Sequence, residues 1–227
     1  MKHPSPSTVT AEETPAYPAR VFYTPVKAER YQQRKASKDQ AEMDLVAKAF
    51  RLIPPGRVLD APCGGGRVSV LLARRGYQMT SADLSEPMIE IARASLQKAG
   101  LDIPVHREDV ERLSYANRSF DAVVCFRLFH HFPNREIRER AVHELCRVAD
   151  QFVAISYFSP YSFTSVQRRL RVMRGGRTSH KHQTTLREVK GYFEKAGFRL
   201  VKNFARCQFI HTLHMAVFER VAPPVQK

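Results

Sequence analysis

Asp60, Gly64, Gly66 and Asp83 are the residues of this chain whose types and spacing point most directly to chemistry. Val58-Leu59-Asp60-Ala61-Pro62-Cys63-Gly64-Gly65-Gly66 runs from an apolar strand into a glycine cluster that opens a helix. Glycines at such a turn let the backbone approach a ligand closely, because a side chain there would collide with it. A nucleotide-like cofactor is implied. The NAD fingerprint is met only in part, since Ser69 stands where a third Gly or Ala is required. Asp60, at the carboxyl end of the first strand, is placed where a carboxylate can face a cationic amine. Asp83, 17 residues after Gly66, closes a second strand. There a carboxylate can accept hydrogen bonds from both hydroxyls of a ribose.

Two further stretches follow in order. Glu108-Asp109-Val110 lies beyond a short third strand, and Phe120-Asp121-Ala122-Val123-Val124-Cys125-Phe126-Arg127-Leu128-Phe129-His130-His131 forms a strongly apolar fourth strand and its exit. An imidazole titrates in the range useful to a proton acceptor, so His130 and His131 are candidate bases. The structural alternative is that one of them packs at the helix start after Pro133.

Val58–Gly66 resembles motif I of the class I S-adenosylmethionine (SAM)-dependent methyltransferases, whose usual form is Asp-x-Gly-x-Gly-x-Gly, with Pro62 in the first glycine position. Proline fixes φ and removes one N–H. The resemblance implies that Asp60, Pro62, Gly64 and Gly66 hold the methionine moiety and that Asp83 holds the ribose. Leu84 and Met88 would then flank the adenine, although Ser85 and Pro87 also read as an ordinary helix start. Asp109 would meet the adenine amino group and the Val110 amide the ring. Phe126 and Arg127 would line the cofactor or substrate cavity, with His130 and His131 facing the methyl group. Tyr31 and Arg34 are similar to residues that close over SAM in some relatives, Arg34 by a bidentate contact with its carboxylate; the competing reading is a solvated basic helix face. The four motifs cover roughly residues 57 to 160. The cofactor implied is SAM, leaving as S-adenosylhomocysteine, and no metal is expected.

These residues need elements to position them. Short apolar runs alternate with amphipathic stretches, the pattern of strands joined by crossover helices. Strands are expected at Arg57–Ala61, Tyr77–Asp83, Pro104–Arg107, Phe120–Phe126, Phe152–Phe158, Phe198–Ala205 and His214–Arg220. Helices are expected at Gly66–Arg75, Pro87–Ala99, Arg135–Val148 and Leu186–Ala196, the last capped by Gly197. The expected architecture is α/β, a Rossmann-like doubly wound, mostly parallel seven-stranded sheet with helices on both faces and an antiparallel C-terminal strand. Residues 1–25, rich in proline, read as a disordered tail. Residues 26–56 read as a helical segment packing on the catalytic domain, with Met43, Ala47 and Phe50, and Ala41, Leu45 and Ala49, at helical spacing. Residues 57–220 form the SAM-binding domain and 221–227 a C-terminal tail.

Within that domain, residues 159–185 read as a basic lid. From Ser162 to Leu186 there are five arginines, one lysine and two histidines and no Asp or Glu. Val166, Leu170 and Met173 fall at helical spacing among Arg168, Arg169 and Arg171, which are candidate grips for an anionic acceptor. The alternative is a solvated surface with counter-ions. Across 227 residues, 37 Lys+Arg against 22 Asp+Glu leave a formal charge of +15, which favours polyanions or anionic surfaces.

The four cysteines are too scattered for a disulfide scaffold or a zinc site, and no apolar run of 18 residues exists. The expected location is cytoplasmic, with peripheral contact to an acidic membrane face left open. The leading function is methyl transfer to a small-molecule or lipid- or glycan-linked acceptor of anionic, for example phosphorylated, character. Two alternatives stand: an RNA methyltransferase using the same charge on phosphates, or a non-catalytic protein of this fold that binds anions or partners. Phe126-Arg127-Leu128-Phe129 lacks the Asn/Asp-Pro-Pro-aromatic signature of amino-group methylation on nucleic acid.

Overall fold

Each apolar run of the sequence becomes a strand, and each amphipathic stretch a helix laid against the sheet. The computed structural model describes residues 36–162, 165, 167, 173, 182–205 and 212–221, with side chains from Asp39 onward. In order these form α1 (Ala36–Phe50), β1 (Arg57–Asp60), α2 (Arg67–Ala73), β2 (Gln78–Asp83), α3 (Glu86–Lys98), β3 (Val105–Arg107) and β4 (Phe120–Cys125). A single 3-10 turn (Phe129–His131) then leads to α4 (Arg135–Val148), β5 (Ala149–Phe158), α5 (Leu186–Lys195), β6 (Phe198–Ala205) and β7 (Leu213–Arg220).

The seven strands form one sheet in the order β3-β2-β1-β4-β5-β7-β6. Neighbours from β3 through β5 are parallel, and β7 runs antiparallel to both β5 and β6. This is the doubly wound arrangement expected, with the order reversing between β1 and β4. Ligands of such sheets bind at the carboxyl ends beside that reversal, where the two flanking loops leave in opposite directions.

Because side chains alternate across a strand, a strand covered on both faces must be apolar throughout. Val123, Cys125, Val153, Ile155, Ala216 and Phe218 enter one core with α4 and α5. Ala122, Val124, Ala154, Met215 and Val217 enter the other with α1 and α2. In α1 the buried set is Glu42, Met43, Leu45, Val46, Ala49 and Phe50, whereas Ala41 and Ala47 are half-buried. Val46, which the expected spacing passed over, is wholly enclosed.

Side chains terminate the elements. The Tyr77 hydroxyl lies 2.8 Å from the Phe50 carbonyl, the last of α1, and 2.7 Å from the Ile53 carbonyl in the turn beyond it, its one proton shared between them. Asn134 accepts from the Ile137 amide at 3.0 Å to start α4, and Thr185 from the Glu188 amide at 3.1 Å to start α5. Gly197, at φ +78°, follows α5 where left-handed backbone is needed. One strand boundary departs from expectation by more than two residues. β5 begins at Ala149 rather than Phe152, directly after α4, because Ala149 pairs with Phe120 across an irregularity and carries the polar Asp150 and Gln151 into the strand.

Candidate active site at the carboxyl ends of the sheet

The strand order sets Asp60 at the end of β1, Asp83 at the end of β2 and Asp109 just past β3 side by side. Phe126 and Arg127, at the exit of β4, stand across the reversal point. Sequence-distant residues thus share one rim.

At its centre is the glycine turn. Gly64 has φ +53° and Gly66 φ +79°, conformations that cost side-chain-bearing residues. The Cys63 amide donates to the Ala82 carbonyl at 2.7 Å, and the Gly64 amide donates to Asp83 Oδ2 at 2.9 Å. Asp83 Oδ1 accepts from the Ser85 amide at 2.9 Å. Asp83 therefore ties the turn after β1 to the end of β2 and the start of α3. Burial raises its pKa, opposed by the backbone amides of Ser85, Gly64 and Leu84. Gly66 is also where α2 and α3 meet: a Cβ there would stand 3.5 Å from the Ala92 backbone. That is ordinary contact, so it is the left-handed backbone and not the packing that calls for glycine here. Pro62 follows a cis peptide bond at Ala61.

Asp60 lies beneath the turn with no exposed surface. Its Oδ2 accepts from Ser69 Oγ at 2.7 Å, and Ser69 Oγ lies 2.7 Å from Ser81 Oγ, the hydroxyl of the residue paired with Asp60 across β1 and β2. Asp60 Oδ1 has no hydrogen-bond partner among the described residues. Burial drives the carboxyl up to about 7, with the Ser69 hydroxyl opposing and the nearby Asp83 adding to the rise. A buried acid with one open oxygen is the fit expected for a site that receives a cationic group. Ser69 was met in the sequence only as a departure from the NAD pattern; its hydrogen bond to Asp60 is a tertiary contact.

The adenine-side candidates are less uniform. Asp109 Oδ1 accepts from the Glu111 amide at 3.0 Å, and the Glu108 amide donates to the Asp83 carbonyl at 3.1 Å, which brings this loop to the Asp83 end of the rim. Leu84 is half-buried. Met88 and Val110 are enclosed, at 1% and 7% exposure, and pack as core side chains.

Glu42 of α1, unforeseen in the sequence, is 2% exposed and is ion-paired with both Arg67 and Arg127. Arg67 opens α2 immediately after Gly66, and it also pairs with Asp39. Arg127 has φ +66° and donates its backbone N–H to Ser156 Oγ at 2.6 Å. Left-handed backbone at a residue other than glycine costs of order 1–3 kcal/mol and collects at sites where the surroundings enforce it. The Arg127 guanidinium, a candidate substrate grip, is thus engaged by Glu42, while Phe126 is buried in the core beneath α1.

The 3-10 turn places the two histidines differently. The His130 ring has no exposed surface and stacks on Phe158 with centroids 3.9 Å apart, whereas His131 is half-buried. The His182 amide donates to the His130 carbonyl at 2.8 Å, and the Thr184 amide to the Phe158 carbonyl at 2.8 Å, so the C-terminal root of the basic insertion is fastened beside the turn. Gln183 donates to Ser165 Oγ at 2.8 Å, and Ser165 Oγ donates to the Ser159 carbonyl at 3.1 Å, which fastens the two roots to each other. Tyr31, Arg34, Arg168, Arg169 and Arg171 lie outside the described residues.

Comparison with known proteins finds likenesses that run through this rim. A family model described as a methyltransferase domain matches residues 58–151, from β1 into β5. That match covers 94 of the 227 residues. A ubiquinone biosynthesis O-methyltransferase of Xanthomonas axonopodis pv. citri is 37% identical over 99 residues, 43% of this chain and 41% of that protein. One from Azoarcus sp. strain BH72 is 29% identical over 154 residues, 64% of this chain and 65% of that one. The chain thus spans about two-fifths to two-thirds of the length of these relatives. Among solved structures, magnesium protoporphyrin IX methyltransferase from Synechocystis PCC 6803 with bound SAH superposes with a TM-score of 0.75 at 19% identity, covering 89% of this chain and 98% of that one. The glycine turn, Asp83 and the Asp109 loop all fall within the residues matched by the family model.

Proposed function

We propose that this chain binds SAM at the rim formed by Asp60, Asp83 and Asp109 and catalyses transfer of its methyl group to an oxygen of a small molecule. The observation that carries the reading is the glycine turn held by Asp83 through the Gly64 amide above a buried, half-satisfied Asp60. The curated relatives, O-methyltransferases by name, support oxygen as the acceptor atom.

SAM supplies a methyl group on a positively charged sulfur, so the protein's task is placement. In this reading Asp83 receives the ribose hydroxyls and Asp60 contributes its charge beneath the methionine end. Glu42 holds α1 against the turn and Arg127, shielding that side from water. An acceptor hydroxyl must lose a proton as its oxygen becomes the nucleophile. His131, which retains open surface where His130 does not, receives that proton.

The test is calorimetric binding of SAM and S-adenosylhomocysteine to the full chain, followed by transfer from labelled SAM to phenolic and carboxylate acceptors. Asp83→Ala is expected to weaken SAM by at least about tenfold, or ~1.4 kcal/mol. His131→Gln is expected to lower kcat by about a hundredfold with SAM affinity unchanged, the scale of general-base loss. Absence of binding to either ligand would remove the reading.

A further inference from the structure

Between β3 and β4 the chain from Glu108 to Ser119 lies outside every strand and helix, so its backbone groups need partners from elsewhere. This loop carries Asp109 at the cofactor rim. Beyond Asp109 it is held by one face of α4. Arg140, Glu144 and Arg147 lie at i, i+4 and i+7 on that helix, which sets their side chains in one row. The Arg140 guanidinium donates twice to Glu111 Oε2, at 2.7 and 3.2 Å.

Arg147 is the centre of the clasp. Its Nε and Nη2 donate to the two carboxylate oxygens of Glu144 at 2.8 and 2.9 Å. Nη2 also donates to the Leu113 carbonyl at 2.8 Å, and Nη1 donates to the Tyr115 carbonyl at 2.7 Å and to Asn117 Oδ1 at 3.0 Å. Those five bonds use all five N–H groups of a guanidinium. Glu144 Oε2 in turn accepts from the Leu113 amide at 2.9 Å, so α4 meets both backbone polar groups of Leu113, as a neighbouring strand would. A lysine offers three donors from a single nitrogen and cannot span these acceptors.

The near end of the loop closes on itself. Glu108 Oε2 accepts from the Ser114 amide at 2.9 Å, and its other oxygen accepts from the Ser114 hydroxyl. The Arg112 amide donates to the Asp109 carbonyl at 2.8 Å, next to the bond from the Glu111 amide to Asp109 Oδ1. Asp109 therefore sits on a turn whose far side α4 holds through Glu111 and Leu113, and its own side chain is half-buried rather than enclosed. A loop without that clasp would have to be ordered when a ligand binds, at an entropic cost to affinity.

We infer that Glu144 and Arg147 are positioning residues for recognition of adenine: by fixing the loop from Glu108 to Asn117 they hold Asp109 where it meets the 6-amino group, and so set a preference for adenine over a purine with oxygen at that position. The inference rests on the proposed placement of SAM at this rim. A carboxylate accepts from an amino group and has nothing to donate to a 6-oxo group, so the preference lasts only while the carboxylate is held in place. Neither Glu144 nor Arg147 touches the cofactor; both act through the loop.

The experiment titrates the full chain by calorimetry with S-adenosylhomocysteine and with S-inosylhomocysteine, in which oxygen replaces the 6-amino group. Wild type is expected to bind the adenine form at least about tenfold more tightly. Arg147→Lys, which keeps a positive charge beside Glu144, should weaken S-adenosylhomocysteine by about tenfold and leave S-inosylhomocysteine within about threefold, so that the preference disappears. A general loosening of the fold would weaken both ligands together and leave their ratio intact, and that result overturns the inference. Glu144→Gln, which keeps an acceptor for the Leu113 amide, should move the ratio the same way by a smaller factor, and it decides the matter if Arg147→Lys does not fold. Arg135→Gln, whose partner Glu139 faces Lys195 of α5, is the control and should leave both affinities within about twofold. A wild type that binds both ligands equally also overturns the inference while leaving the proposed cofactor site standing. Binding of neither ligand removes the proposed function and the inference with it.

Discussion

Asp60 and Asp83 are neighbouring buried acids whose partners differ, and their expected behaviour differs accordingly. Asp83 accepts two backbone amides and holds the turn, so its loss acts on ligand affinity. Asp60 accepts one hydroxyl, and its raised pKa of about 7 makes it sensitive to pH. The unfolded carboxyl titrates near the ordinary 3.8, so between about pH 4 and pH 7 the unfolded chain is ionised while the folded one holds the proton. Stability contributed by this site is therefore fullest below the lower value, declines as pH rises, and is flat above about 7. Asp60→Asn removes the titration while keeping an acceptor for Ser69. The stability of wild type relative to Asp60→Asn is expected to fall by a few kcal/mol across that window, read as thermal midpoints at successive pH values. The positions of Asp60 and Asp83 at strand ends, and of Asp109 two residues past β3, were legible because apolar runs mark where each strand stops. Ser69 as the partner of Asp60 was not, because its hydroxyl reaches that acid only once α2 is laid on β1.

The decisive element is α1. Its amphipathic spacing shows that it packs, and it says nothing of where. In the fold, Glu42 brings a carboxylate into the α1-side core and meets Arg67 from α2 and Arg127 from the exit of β4. Removing one member of a buried ion group leaves the others uncompensated, at a cost that reaches about 3–5 kcal/mol when burial is complete. Here Arg67 retains 23% side-chain exposure, so Glu42→Gln is expected to cost somewhat less, about 2–3 kcal/mol, and to lower the thermal midpoint by several degrees. If α1 also shields the cofactor, SAM affinity falls with it; an unchanged SAM affinity in a destabilised variant would confine Glu42 to packing. The contact joins residues 85 positions apart, and no local pattern marks it.

For the molecule as a whole, charge is the property that composition states most firmly. A formal +15 spread over a domain of this size raises the local concentration of anions and is screened by salt over about 10 Å at 0.1 M. The cofactor rim, by contrast, is built from acids that lie buried or half-buried. Raising salt from about 0.05 to about 0.5 M is therefore expected to weaken the binding of anionic molecules severalfold and to change SAM affinity little, measured by calorimetry on one preparation. Parallel losses for anions and SAM would place the cofactor rim in the same field. No described helix is long and apolar enough to cross a membrane.

The sequence by itself determined the class of fold, the identity of the glycine turn and the acids at successive strand ends. Those signals are local: period-two and helical hydrophobic patterns, and glycines where a strand becomes a helix. Strand ends expected from such patterns mostly fall within one or two residues of those observed, except at β5, where pairing with Phe120 overrode the polar Asp150 and Gln151. Tertiary structure alone decided that His130 is sealed against Phe158 while His131 keeps surface, that Arg127 is engaged by Glu42, and that Tyr157, Asn203 and His214 meet across β5, β6 and β7. Each is a meeting of side chains from separate strands and helices. Their distance along the chain carries no information about their distance in space until the sheet order is fixed.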